Sequence, residues 1–235
     1  MTLLSICNEA QAALNLPVTT AVYSNTGNTQ RQLLNLSNIE GRELADEYAW
    51  QALVTETSFT TTATEEQTHS SADLPSDLGW IIDETLYNRT AVLRIIGPLG
   101  AREWQDQKAF GAAGADSQYR IRGNSFWVLP APTASQSVYY EYVSDKWCQA
   151  TGGGTTRTAW GADTDVGRIP EHLLTLGLIW RWKAAKGLDY TQDFETYLIA
   201  KGRKTSRDGT RRKLSAVGPQ PRSNGRGRIP EGSWG

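Results

Sequence analysis

An α+β fold is predicted, with terminal helices forming a bundle, an inserted β-rich, sandwich-like region between them, and an extended C-terminal tail. Three observations predict it. Apolar residues recur at helical spacing near both ends of the 235-residue chain. The period falls to two in the middle, where Thr, Tyr and β-branched residues dominate. The last 30 or so residues are Gly, Pro, Arg and Ser with few apolar positions, too little to offset the entropy of ordering alone. The expected units are residues 1–52 and 163–205 for the two halves of the helical part, 53–162 for the insert and 206–235 for the tail.

The first helix follows from Leu3, Ile6, Cys7, Ala10 and Leu14, spaced i, i+3, i+4, i+7, with Pro17 as its stop. Thr29-Gln30-Arg31-Gln32 has the Thr-x-x-Gln pattern of a capping box. It opens a second helix carrying Leu33, Leu36, Leu44 and Tyr48 and ending near Trp50. Strands are expected at Leu53–Thr62, Ala91–Ile96, Gln118–Ile121, Ser125–Leu129 and Val138–Val143, with Gly123-Asn124 as a tight hairpin turn. Two short helices, Asp77–Arg89 and Ala101–Phe110, interrupt them. Beyond the loop Gly152-Gly153-Gly154, a helix carries Leu173, Leu176, Leu178, Ile179, Trp182 and Ala185 to Gly187. A last helix covers Tyr190 to Lys201.

The formal net charge of −1 conceals an asymmetry. Residues 202–235 hold nine Lys and Arg against Asp208 and Glu231, a net of +7, leaving 15 basic and 23 acidic residues, net −8, in residues 1–201. An acidic body with a basic tail implies two different partners, or one partner with two faces. Two cysteines far apart, Cys7 and Cys148, suggest no disulfide framework and a reducing compartment. No basic n-region precedes Leu3, Leu4 and Ile6, and the uncharged window Gly123–Tyr140 contains Pro130 and Pro132. Neither a secretory signal nor a membrane span is expected.

Reactive chemistry is hard to find. His69 reads as a solvated loop residue, and His172, beside Glu171 in the first turn of a helix, as surface or packing. No Cys or His spacing suits a metal. Asp163-Thr164-Asp165-Val166-Gly167 has the start of a calcium loop but lacks its third ligand and closing Glu, so those aspartates read as caps. Lys201-Gly202-Arg203-Lys204-Thr205 lacks the earlier glycine of a phosphate loop. Asp83 and Glu84, neighbours on one expected helix, point apart and suit acid/base work poorly. Trp127, Tyr139, Tyr140, Tyr142 and Trp147 are a possible stacking surface, but alternate strand positions must face a core, and packing or subunit contacts are the better reading. No catalytic set, cofactor or metal is expected.

The tail admits three readings: phosphate neutralisation on nucleic acid, a solvated end with little role, or a segment that folds onto a protein partner. The third is favoured. Arg211, Arg212, Lys213, Arg222, Arg226 and Arg228 supply charge, while Ile229 and Trp234 are apolar anchors that contribute nothing to nonspecific phosphate binding.

The chain also resembles the head-to-tail adaptor (connector, head-completion) proteins of short-tailed bacteriophages. The resemblance is carried by Arg31-Gln32-Leu33-Leu34 with Glu40-Gly41-Arg42-Glu43-Leu44, Trp50-Gln51-Ala52-Leu53, Asn88-Arg89-Thr90, Gly97-Pro98-Leu99 with Glu103-Trp104, Tyr119-Arg120-Ile121-Arg122-Gly123, Glu141-Tyr142-Val143-Ser144 with Trp147-Cys148, and Leu176-Gly177-Leu178-Ile179-Trp180-Arg181-Trp182 with Lys186-Gly187-Leu188-Asp189-Tyr190. Their order, over about residues 1–205, is the specific feature. The resemblance implies a non-enzymatic virion protein at the neck, assembled in the host cytoplasm. Its expected form is a homo-oligomeric ring of about twelve copies between the portal protein and the tail nozzle or tail tube, with genomic DNA passing through and tail fibres as a further possible contact. It also implies that the C-terminal segment grips the portal. The alternatives are a nucleic-acid-binding module acting through the basic tail and, behind it, a carbohydrate-binding or hydrolytic tail component.

Overall fold

The computed structural model describes residues 1–67, 74–111, 116–123 and 125–209. In chain order the elements are α1 (Leu3–Ala13), α2 (Asn28–Glu47), β1 (Val54–Thr60), β2 (Glu66–Gln67), β3 (Leu78–Ile81), β4 (Tyr87–Asn88), β5 (Leu93–Arg94), α3 (Ala101–Phe110), β6 (Gln118–Arg122), β7 (Ser125–Leu129), β8 (Ser137–Ser144), β9 (Cys148–Gln149), β10 (Thr156–Arg157), β11 (Val166–Gly167), α4 (Glu171–Ala185) and α5 (Thr191–Asp208). This is the expected α+β mixture.

α4 is the hub of the helical part, packing against α1, α2 and α5. Its Leu173, Leu174 and Leu178 meet Leu3, Ile6 and Ala10 of α1 and Leu33 and Leu44 of α2 in one core. Trp147, Cys148 and Trp160, from around the small β10-β9-β11 sheet, belong to that core as well. Gly41 lets Trp147 in: a Cβ there would stand 2.5 Å from the indole ring. The Trp147 N–H donates to the Thr158 carbonyl at 2.8 Å, and the Trp160 ring meets it edge-on at 4.8 Å.

The insert has a second core between two antiparallel sheets. One has the order β1-β8-β4-β5, with β3 also on β8, and the other is β2-β7-β6. Val138, Tyr140 and Tyr142 alternate inward from β8, as the two-residue period requires, and meet Tyr119, Phe126 and Val128 of the facing sheet. Phe59 stacks on Phe126 at 5.1 Å. Arg122 pairs with Ser125 across the β6–β7 turn, where Gly123 takes a φ of +60°; Asn124 lies outside the described residues. The α3 helix forms as expected and buries Trp104.

Four local expectations are corrected. Asp77–Arg89 is not a helix but β3, a turn and β4, both strands lying on β8. β8 offers an open ladder, and Gly79 fits its backbone closely, a Cβ there falling 3.0 Å from the Val143 carbonyl oxygen. Asp83 and Glu84 are consequently exposed turn residues. α2 begins one residue before Thr29, with Gly27 as its cap and no side-chain capping bond; the Asn25 side chain instead accepts from the Gly27 N–H at 2.9 Å. α2 also ends at Glu47, because the chain turns so that the Trp50 indole donates to the Leu44 carbonyl at 2.7 Å. The Ala91–Ile96 strand shrinks to β5 because Val92 sits at φ 56°. α5 runs two turns beyond Lys201, for reasons seen at its contacts with α2.

Candidate interface surfaces

The eight tail positions singled out in the sequence, Arg211, Arg212, Lys213, Arg222, Arg226, Arg228, Ile229 and Trp234, lie outside the described residues, as does His69. The structure does describe the helix that launches the tail. α5 is anchored at its N-terminal half by aromatic packing on α4: Trp180 meets Phe194 edge-on at 5.0 Å and lies 6.1 Å from both Tyr190 and Tyr197. Lys183 pairs with Asp193 at 2.5 Å.

Beneath this cluster lies a buried charge network. Glu40 of α2 is fully buried and accepts from the Arg181 guanidinium of α4 at 2.6 Å; Arg181 also reaches Glu43. Gly177, one turn before Arg181, makes the room: a Cβ at that position would fall 2.2 Å from the Glu40 carboxyl carbon. Burial pushes the Glu40 carboxyl above the usual range, against the pull of the Tyr197 phenol and Arg181. Desolvation likewise drives the Tyr197 phenol upward. The pair ties α2 to α4 in one register, since any slip would leave a charge buried without its partner.

The C-terminal half of α5 is held differently. Three polar straps join it to α2 and the turn beyond: Lys201 to Glu47 at 2.8 Å, the Tyr48 hydroxyl to the Thr205 carbonyl at 3.1 Å, and the Gln51 N–H to Asp208 at 2.8 Å. They bridge a groove with a cavity volume of ≈470 Å³ lined chiefly by Leu44, Trp50, Leu198, Gly202, Thr205 and Ser206. Gly202 is in the helix interior, where glycine costs about 1 kcal/mol relative to alanine, and a Cβ there would meet nothing within 4 Å. Arg203, Lys204 and Arg207 stand exposed on the last two turns and form no ion pair among the described residues. The α4–α5 connection, at the other end of the helix, presents Leu188 and Tyr190 to solvent.

The remaining candidates are absorbed by the fold. Tyr140, Tyr142 and Trp147 are core residues. Of the aromatics facing outward, Trp127 lies 3.7 Å beneath Arg122 and Tyr139 3.8 Å beneath Arg89, so these ring faces are already covered by the chain's own cations. Asp163 accepts from the Val22 and Tyr23 N–H groups, and Asp165 from Arg157, Gly161 and Ala162. Both act as caps for backbone N–H groups of the chain itself. Lys201–Thr205 lies within α5, and His172 is exposed at the start of α4. Cys7 and Cys148 are free and buried, their thiols pushed up to about 12 chiefly by desolvation. No group of three or more metal-binding side chains occurs among the described residues.

The groove, the helical setting of Gly202 and the Glu40–Arg181 pair are absent from the sequence reading. The available signal was a glycine inside two expected helices, Gly41 and Gly177, each marking a close approach, and Gly202 just past the expected end of a third.

These features define a protein organised around surfaces for other chains: a two-core α+β body, an acidic net charge, and a helix whose outer half is strapped over a groove and leads into a basic tail. The family model for the SU10 adaptor protein matches residues 1–227, and the chain belongs to that family of phage head-to-tail adaptors. No curated protein matches it.

Proposed function

We propose that this chain is the repeating subunit of a ring, about twelve copies, that joins the portal vertex to the tail nozzle or tail tube of a virion and lets the genome pass. The observation that carries the reading is the family match, which runs through both cores and on to residue 227. In this reading residues 1–52 and 163–205 form the ring wall and the two-sheet insert faces the tail, within reach of fibres. The protein acts structurally, without catalysis or cofactor, at the virion neck after assembly in the host cytoplasm. No helix among the described residues is long and apolar enough to cross a membrane, in keeping with that site.

Charge supports the division of labour. A body of net −8 does not hold phosphates along a channel, where each retained contact would add to binding and slow passage. The tail, with Arg211, Arg212, Lys213, Arg222, Arg226 and Arg228 for charge and Ile229 and Trp234 as anchors, orders on the portal and holds the subunit there. A subunit whose strap orders only on its partner is monomeric alone.

Truncation tests this. A chain ending at Gly209, mixed with portal rings and sedimented, is expected to lose association that the full chain shows. Undiminished binding would remove the tail from the role. If the full chain instead binds duplex DNA with steep salt dependence and the truncated one does not, the tail is a nucleic-acid module, a reading to which the exposed cations Arg203, Lys204 and Arg207 also lend themselves.

A further inference from the structure

We propose that the groove beneath the C-terminal half of α5 receives the Leu188–Tyr190 tip of the neighbouring copy, so that each subunit offers a knob at one end of α5 and a socket at the other. The inference rests on the ring reading above and names the surfaces that close it.

Three observations lead there. The socket is apolar and open: Leu198 remains 42% exposed although it lines a ≈470 Å³ groove with Leu44 and Trp50. Its wall is thinned by Gly202, whose missing side chain no neighbour within the subunit requires. The helix therefore accepts a propensity cost that gains nothing until a guest side chain uses the space. The knob is apolar and open to solvent too, with Leu188 56% and Tyr190 41% exposed on a tight turn beginning at Gly187, although the Tyr190 ring also lies 6.1 Å from Trp180.

Charge agrees with the pairing. The tip carries Asp189, kept ionised by the Thr191 backbone N–H, which holds its carboxyl below the ordinary range. Of the lysines before it, Lys186 is turned back over its own Trp182 ring at 4.7 Å and Lys183 pairs with Asp193. The socket end of the helix carries Arg203, Lys204 and Arg207 without partners among the described residues. A tip bearing a carboxylate is thus offered to an apolar groove at the basic end of α5, where the groove's own charged residues, Glu47 and Lys201, pair with each other.

A subunit cannot fill its own socket. Tyr190 and Ser206 lie sixteen positions apart along α5, roughly 24 Å of rigid helix. Knob and socket on one chain, unable to meet within it, make a heterologous contact, and such contacts close into rings when the rotation permits.

The test is covalent capture on assembled complexes. A Leu188→Cys, Ser206→Cys double variant is added to portal rings and treated with a short bismaleimide; the native thiols of Cys7 and Cys148 are fully buried and do not compete. The expected product is a ladder of covalent oligomers extending past the dimer. Single chains or dimers alone, from complexes that mass photometry shows to hold the same number of copies as wild type, would overturn the knob-and-socket contact while leaving the ring intact. If the unaltered chain never gathers as more than one copy on a portal ring, the ring reading fails, and this contact with it. A second variant, Gly202→Leu, fills the socket: the isolated subunit is expected to melt no lower than wild type, because leucine is the better helix former, while its occupancy on portal rings falls at least about tenfold. Undiminished occupancy would overturn the proposal.

Discussion

The two halves of α5 solve the same problem by opposite means. From Tyr190 to Tyr197 the helix is held by apolar contact: Phe194 and Tyr197 pack around Trp180, and Tyr197 is 5% exposed. From Leu198 to Asp208 it is held by hydrogen bonds and an ion pair that reach across a groove. Burial of an aromatic ring is worth several kcal/mol, whereas part-exposed polar contacts contribute about 1 kcal/mol or less each. The first half is thereby committed to the subunit. The second is kept in place cheaply, with its apolar surface still available, which is what an assembly component needs at the helix leading to its partner-binding tail.

The largest effect is expected where the first half meets the buried charge. Arg181→Met leaves Glu40 buried without its cation, at a cost of about 3–5 kcal/mol in urea unfolding at neutral pH. The sign with pH distinguishes this from simple loss of packing. Burial already raises the folded pKa of Glu40, so the folded state holds the proton more tightly than the unfolded chain. The stability this contributes is complete below the ordinary carboxylate value and lost as pH climbs through the raised one. Removing Arg181, one of the groups that pull the value down, steepens that loss. The variant should therefore recover stability on acidification from pH 7 to pH 5 more than wild type does, and adding Glu40→Gln should abolish the difference. Equal pH dependence in variant and wild type would show that the charge is not what Arg181 balances.

Next in size, Tyr197→Ala should cost about 3 kcal/mol, toward the lower end for deleting a large buried ring. Differential scanning calorimetry of the monomer would show it as a clear drop in Tm. A loss no greater than that of the strap variants below would erase the distinction between the halves.

Much of this architecture was legible in the sequence. The terminal helices, β1, the β6–β7 hairpin, β8 and α3 followed from residue spacing, β-branched composition and turn chemistry, most plainly in β8, where the core face recurs at every second residue. Asp77–Arg89 misled because Trp80, Ile81 and Leu86 fit a helical stripe as well as a strand, and only the open edge of β8 decides between them. The end of α5 was missed for the complementary reason: its last two turns carry almost no apolar residues, and they persist through Glu47, Tyr48 and Gln51, some 150 residues earlier in the chain. The basic tail was visible as composition, but the groove was not. Leu44 read as part of a helix face and Trp50 as the end of that helix, and the space between them and Leu198 exists only once α2 and α5 are set side by side.

The smallest effects belong to the straps. Tyr48→Phe removes the bond to the Thr205 carbonyl and should cost about 0.5–1.5 kcal/mol, seen chiefly as faster amide hydrogen exchange over the last two turns of α5 with the first half unchanged. Smaller still is Leu198→Ala. A leucine that closed a subunit core would cost about 2–5 kcal/mol on truncation, but Leu198 is 42% exposed and faces the groove, so the expected loss in the isolated subunit is below about 1 kcal/mol. The comparison sharpens if the variant, nearly as stable as wild type, occupies portal rings poorly. It breaks if unfolding shows a core-sized loss, because the groove would then be sealed within the subunit and the outer half of α5 held by apolar contact like the inner half.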